Sequence, residues 1–237
     1  MTRDNVSTRH GALHRAAADI YHPLNPVGIY GYTRQRQQFV QMLNRVGESL
    51  QGARILDLGS GTGEWTRFFA ELKGTTDGII GIEYNAAPIA YARSLSPIQY
   101  IQGDMADLST FGDGSFDFAT AFVSLMFLPD MQAVQDVVRQ VRRALTPNGL
   151  LFISELNEQH QSERPYSGYR YKELRYAVES CGFELIQGKG IFKNFLGWRK
   201  LSSYYRVGFA SMDVMPFLER VIPGRAAYYY QLYRKAP

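Results

Sequence analysis

Between residues 53 and 155, short apolar runs alternate with stretches of helical period, and no other feature of the chain restricts its fold as strongly. ARILDLG (53–59), GIIGIEYN (78–85), IQYIQGD (98–104), FDFATAFVSL (116–125) and LLFISE (150–155) read as strands. Between them, EWTRFFAELKG sets Trp65, Phe68, Phe69 and Leu72 on one helical face, with Gly74 placed to end the helix. AAPIAYARS reads as a second helix. Residues 132–145 turn Val134, Val137, Val138, Val141 and Leu145 inward, before Pro147-Asn148-Gly149 reverses the chain. Strands that follow helices in this way pair in parallel, and an uninterrupted apolar run such as 116–125 is buried on both faces. A helix around Tyr171–Cys181, with Leu174, Ala177, Val178 and Cys181 on one face, leads to two more strands, FELIQGKGIF (183–192) and AYYYQLYRK (227–235). The expected fold is α/β, a seven-stranded, mostly parallel sheet with helices on both faces.

The 237 residues are expected to form a single domain. Its parts are an N-terminal helical segment (1–50), a sheet core (51–192), a helical insertion (193–226) and a final strand (227–237). In the first part Phe39, Val40, Leu43, Val46 and Leu50 share a helical face. The lone cysteine excludes an internal disulfide and a cysteine-rich metal site. The longest apolar run, 118–128, is too short to span a bilayer, and the first residues lack the apolar stretch of a signal peptide, so a cytoplasmic protein is expected, monomer or homodimer. Charge is uneven: residues 51–162 carry 7 Lys/Arg against 13 Asp/Glu, whereas 163–237 carry 13 against 6. The basic last third suits an anionic partner or a solvated face equally.

Three glycines, Gly59, Gly61 and Gly63, fall between the first strand and its helix, where backbone N–H groups can approach a ligand without Cβ interference. Glu64 occupies the position where a dinucleotide fingerprint needs its third glycine, and no Gly-Lys-Ser/Thr follows, so a phosphate loop is excluded. A carboxylate at that helix start would also repel a pyrophosphate.

Asp57-Leu58-Gly59-Ser60-Gly61-Thr62-Gly63 resembles the D-x-G-x-G-x-G motif of class I S-adenosylmethionine-dependent methyltransferases, whose Rossmann-like fold agrees with the expected sheet. Glu83 at the end of the second strand is similar to the family's acceptor for the ribose hydroxyls. Asp104 of Gly103-Asp104-Met105 is similar to its acceptor for the adenine amino group. Phe116-Asp117 and Leu145-Thr146-Pro147-Asn148-Gly149-Leu150 are further family signatures, and the resemblance covers residues 50–192. It implies S-adenosylmethionine as cofactor and S-adenosylhomocysteine as product. The implied binding residues are Asp57, Gly59, Ser60, Gly61, Gly63, Glu83 and Asp104, with Tyr84 and Met105 flanking the adenine and Phe122 at the end of the fourth strand. Tyr21 and Arg34 (and, in the same region, Tyr30) join them by position ahead of the first strand.

For the acceptor, Phe122–Asp130 lacks both a cysteine and the Asn/Asp-Pro-Pro-Tyr/Phe motif, and Phe127 stands where many small-molecule members carry His. Candidate general bases are His160, His22 and Glu155. The aromatic insertion offers Trp198 and Tyr204, with Phe127, as acceptor contacts. The expected activity is methyl transfer to oxygen or nitrogen of a small molecule, without nucleic acid, membrane or metal. An RNA or protein methyltransferase and a non-catalytic cofactor-binding or partner-binding domain are the alternatives.

Overall fold

The fold is described from a computed structural model over residues 26–157, 168–193 and 226–237. The chain divides into two compact units, residues 1–45 with 190–227, and 46–189 with 228–237. In the first unit, the described helix α1 (Pro26–Val46) buries Phe39, Met42 and Leu43. It starts earlier than the sequence pattern indicates and stops short of Leu50, because Gly47 takes a left-handed φ of 72°.

The second unit contains most of the sheet. In chain order its elements are β1 (Ile55–Leu58), α2 (Glu64–Lys73), β2 (Ile79–Glu83), α3 (Ala86–Leu95), β3 (Gln99–Gln102), β4 (Phe116–Phe122), a 3-10 turn (Leu125–Phe127), α4 (Met131–Ala144), β5 (Leu145–Leu156), α5 (Tyr171–Glu179), β6 (Phe183–Lys193) and β7 (Ala226–Lys235). The seven strands lie in the order β3-β2-β1-β4-β5-β7-β6. The pairs β3–β2, β2–β1, β1–β4 and β4–β5 are parallel, whereas β5 and β7 are antiparallel. This is the mixed, mostly parallel sheet that the strand–helix alternation predicts.

The helices α2 and α4 bury most of the apolar residues that the sequence pattern turns inward. On α4, Val134, Val137, Val138 and Val141 are buried, and Asp130 caps the helix by accepting from Ala133 N at 2.9 Å. Gly74 ends α2 in the left-handed conformation, donating to the Ala70 carbonyl at 2.8 Å. The turn at Pro147-Asn148-Gly149 falls within β5: Phe116 pairs with Leu145 and Phe118 with Leu150, so the extra residues bulge out with Asn148 at φ 63°. At the starts of β1 and β4, Asp117 receives the Arg54 side chain at 3.0 Å and its amide at 2.9 Å, and the guanidinium holds that carboxyl below the usual range. Cys181, expected on the helical face, lies in the turn just beyond α5 but is buried, with its Sγ 3.6 Å from the Gln135 carbonyl.

Candidate functional site at the carboxyl edge of the sheet

β1, β2 and β4 are neighbours, so the loops at their carboxyl ends converge. Gly59, Gly61 and Gly63 take φ of 69°, 52° and 75°. Two of them also leave no room for a side chain. A Cβ on Gly59 would come within 2.5 Å of Ser124 Cβ in the loop after β4, and one on Gly63 within 2.3 Å of the Tyr100 hydroxyl on β3. The loop is therefore pressed between the ends of its neighbouring strands, and only glycine satisfies both the dihedral and the space.

Two buried carboxylates lie beneath this loop. Glu83, 3% exposed, accepts from Gly61 N (3.1 Å), Asn85 N (2.8 Å) and Asn85 Nδ2 (3.1 Å). A carboxylate offers about four acceptor positions, so capacity remains for a hydroxyl ligand. Asp57 is wholly enclosed and accepts from the Thr66 hydroxyl at 2.6 Å. Burial pushes its carboxyl up to about 7, and the nearby Glu83 adds to the rise against the Thr66 hydrogen bond. Among the described residues no cation pairs with either group. The result is a desolvated anionic floor that favours a cationic ligand. Ser60 Oγ and Ser124 Oγ, both buried, have no hydrogen-bond partner among the described residues. This cradle, a close-packed glycine loop over two buried carboxylates, fits a ligand that combines positive charge with hydroxyl groups.

The remaining expected contacts are distributed around this cradle. Tyr84 is 44% exposed beside Glu83, and its carbonyl accepts from Gln102 Nε2. Asp104 Oδ1 accepts from Ala106 N at 2.9 Å in an exposed turn after β3, while Met105 Cε would meet a Cβ on Gly59 at 3.3 Å. Phe122 is half-buried, with its ring stacked on Trp65 at a centroid distance of 4.0 Å. Phe127 is half-buried in the 3-10 turn. Arg34 belongs to the other unit, on α1, and donates to Gln37 Oε1. Tyr21, His22, His160, Trp198 and Tyr204 lie outside the described residues, as do the other histidines.

Glu155, expected as a general base following the fifth strand, instead lies within β5, paired with Tyr229, and is enclosed. It has no exposed surface, and Oε1 accepts from Leu125 N at 2.7 Å. Burial pushes its carboxyl up to about 8, against the backbone N–H groups of Leu125, Met126, Leu156 and Ser124, which act to lower it. An acceptor could not touch this group without displacing the turn above it. That turn begins with Val123 at φ 51°, a left-handed conformation that costs a β-branched residue on the order of 1–3 kcal/mol. Neither the buried role of Glu155 nor the strain at Val123 has a marker in the sequence. The Trp65–Phe122 stack also went unforeseen, although Trp65 is legible as an inward residue of its helix.

Among the described residues no group of three or more His, Cys, Asp and Glu could hold a metal, and no helix is long and apolar enough to cross a membrane.

Residues 55–149 match the sequence model of a family described as a methyltransferase domain. The demethylmenaquinone methyltransferase of Staphylococcus carnosus is 29% identical over 121 residues, covering 48% of this chain and 48% of that protein. The ubiquinone/menaquinone biosynthesis C-methyltransferase UbiE of Shewanella oneidensis is 28% identical over 173 residues, 69% of this chain and 66% of that protein. The matches thus span about half to two thirds of these relatives' own length. Among solved structures, an S-adenosylmethionine-dependent methyltransferase from Mesorhizobium loti superposes with a TM-score of 0.62 at 19% identity, covering 82% of this chain and 96% of that one. The geranyl diphosphate C-methyltransferase of Streptomyces coelicolor gives 0.62 at 14% identity, over 86% and 79%. At these identities the structures speak for the fold.

Proposed function

We propose that this chain, which belongs to the class I S-adenosylmethionine-dependent methyltransferases, transfers the cofactor's methyl group to a small, largely apolar organic acceptor. The observation that carries this reading is the cradle of Gly59, Gly61 and Gly63 above Asp57 and Glu83, with the half-buried Phe122, Val123 and Phe127 in the segment that brings Ser124 against Gly59.

The bound cofactor supplies a methyl group activated on a sulfonium for in-line displacement. Glu83 would accept from the ribose hydroxyls with its remaining lone pairs, and Asp104 from the adenine amino group. The glycine loop, free of Cβ atoms, would let the ligand approach the backbone closely. Asp57 and Glu83 supply negative charge that favours a cation, so binding and ionisation of Asp57 reinforce each other. The protein's remaining contribution is alignment and exclusion of water, which is where methyl displacement gains most from an enzyme. No described side chain on this edge is placed to remove an acceptor proton, so His160 and His22 keep that assignment if a base is needed.

The relatives named C-methyltransferases, together with the apolar Phe122, Val123 and Phe127, support a carbon of an electron-rich ring as the attacking atom. Oxygen or nitrogen is the second reading. An anionic macromolecule has less support, because the described basic residues Arg142, Arg143 and Lys235 are engaged with backbone carbonyls. Arg142 donates to the Gly182 and Ala236 carbonyls, Arg143 to Leu108 and Phe111, and Lys235 to Leu145.

The test is incubation with methyl-labelled S-adenosylmethionine and a fractionated cell extract. Label in the organic-soluble small-molecule fraction, on carbon by NMR, is expected. Label confined to RNA or protein overturns the reading.

A further inference from the structure

The loop that closes the acceptor side of the cradle is shaped by groups the methyl-transfer reading does not use. After β4 the chain passes through Val123 in a left-handed conformation, enters the 3-10 turn, and brings Ser124 flush against Gly59. Its own backbone bonds are few: Phe127 N donates to Ser124 O at 3.3 Å and Leu128 N to Leu125 O at 3.0 Å. Three contacts from outside hold it. Ser154 O accepts from Val123 N at 2.7 Å, Glu155 Oε1 accepts from Leu125 N at 2.7 Å, and the Tyr169 hydroxyl donates to Leu125 O at 3.1 Å. Tyr169 is fixed in turn by the Tyr229 hydroxyl, which donates to the Tyr169 carbonyl at 2.8 Å. Leu125 is thus gripped at both its N–H and its carbonyl, by a carboxyl on β5 and a phenol ahead of α5. A charged-type side chain without any exposed surface is expensive to keep, and here its hydrogen bond to Leu125 N runs to that turn.

We propose that Glu155 is a positioning residue for methyl transfer: by holding Leu125 N it fixes the 123–127 turn, and with it the acceptor-facing edge of Phe122, Val123 and Phe127. Tyr169 completes the grip from the carbonyl side. The inference rests on the functional reading above for its effect on turnover, and on geometry alone for its effect on the turn. Glutamine at 155 keeps a carbonyl oxygen at the same reach, whereas aspartate is one methylene too short and alanine has no acceptor.

Three variants of Glu155, to Gln, Asp and Ala, and Tyr169→Phe would be compared below their unfolding temperatures. The readouts are acceptor kcat and KM, S-adenosylhomocysteine affinity, and amide hydrogen exchange of residues 123–128. Expected for Glu155→Asp and Glu155→Ala is a loss of about tenfold or more in kcat/KM with cofactor affinity within about threefold, and faster exchange at Leu125. Tyr169→Phe should show the same pattern at smaller amplitude, and Glu155→Gln should recover turnover to within about threefold of wild type. Wild-type turnover in folded Glu155→Ala would overturn the proposal, as would a Glu155→Gln variant as impaired as Glu155→Ala. If the wild type binds S-adenosylhomocysteine but methylates nothing, the functional reading fails. Unchanged exchange at Leu125 in Glu155→Ala would then refute the grip itself.

Discussion

Gly59→Ala offers a quantitative test of the cradle. Two costs can be separated because the structure holds a matched control in Gly74. Both glycines are left-handed, with φ of 69° and 78°, so alanine at either position costs roughly 1–2 kcal/mol in backbone conformation. At Gly74 nothing lies within 4 Å of the new methyl group; at Gly59 it would sit 2.5 Å from Ser124 Cβ, where ordinary contact begins near 3.4 Å. The loops after β1 and β4 must then part by about 1 Å, and such overpacking costs a further 1–3 kcal/mol or so. Urea unfolding should show Gly59→Ala less stable than Gly74→Ala by that second increment. Calorimetry should show S-adenosylhomocysteine binding weakened by about 10- to 100-fold in Gly59→Ala alone, the affinity equivalent of a strain of 1–3 kcal/mol or so at the site. Adding Ser124→Gly removes the atom in the way, so the double variant should regain 1 kcal/mol or more as a coupling energy. Equal stability of Gly59→Ala and Gly74→Ala, or a double variant no better than the single one, would refute the close approach.

Glu83→Gln should weaken S-adenosylhomocysteine binding by about 10- to 100-fold and cost about 1–3 kcal/mol in unfolding free energy, because the amide NH2 must face either the Gly61 N–H or the Asn85 donors; calorimetry and urea titration measure the two. Thr66→Val removes the hydroxyl that Asp57 accepts from, and should cost about 1–3 kcal/mol in unfolding free energy. Stability should decline with rising pH in the ligand-free protein. The folded-state carboxyls of Asp57 and Glu155 titrate near 7 and 8 against usual values of 3.8 and 4.5, so their contribution is complete below about pH 4 and is lost as pH rises through the folded values. For Asp57 alone the difference corresponds to about 4 kcal/mol, and urea midpoints from pH 5 to pH 8.5 would reveal it. Asp57→Asn should flatten the lower part of that decline.

The sequence makes the element order legible because apolar spacing and burial share a local cause. Val134, Val137, Val138 and Val141 face inward for the same reason that they recur at three and four residues. Gly59, Gly61 and Gly63 and Glu83 were likewise readable, since their spacing follows from where strands end. What stayed hidden depends on partners distant in the chain. Ser124 lies 65 residues from Gly59, and nothing near either one announces their contact. Glu155 ends an apolar run just as an exposed catalytic acid would, and only the pairing of β5 and the packing of the Leu125 turn reveal an enclosed carboxyl. Val123 shows no local sign of its φ, because the conformation is imposed by bonds from β5. The bulge at the start of β5 looked like a plain turn, since Pro147-Asn148-Gly149 specifies the reversal but not that Leu145 rejoins the ladder.

One consequence of the strand order concerns synthesis. β7 comes after every other strand in the chain, yet it lies between β5 and β6, with Tyr229, Tyr230 and Tyr233 almost wholly buried. As the polypeptide leaves the ribosome, β1 to β5 can pair in sequence, but the outer edge of β5 stays open and β6 has no place beside it until residues 226–235 emerge. During that interval the nascent chain presents an apolar strand edge to its surroundings. Closure of the sheet is therefore a late, insertion-like event, and slowing translation between β6 and β7 should lengthen the time for which the unfinished protein needs a chaperone.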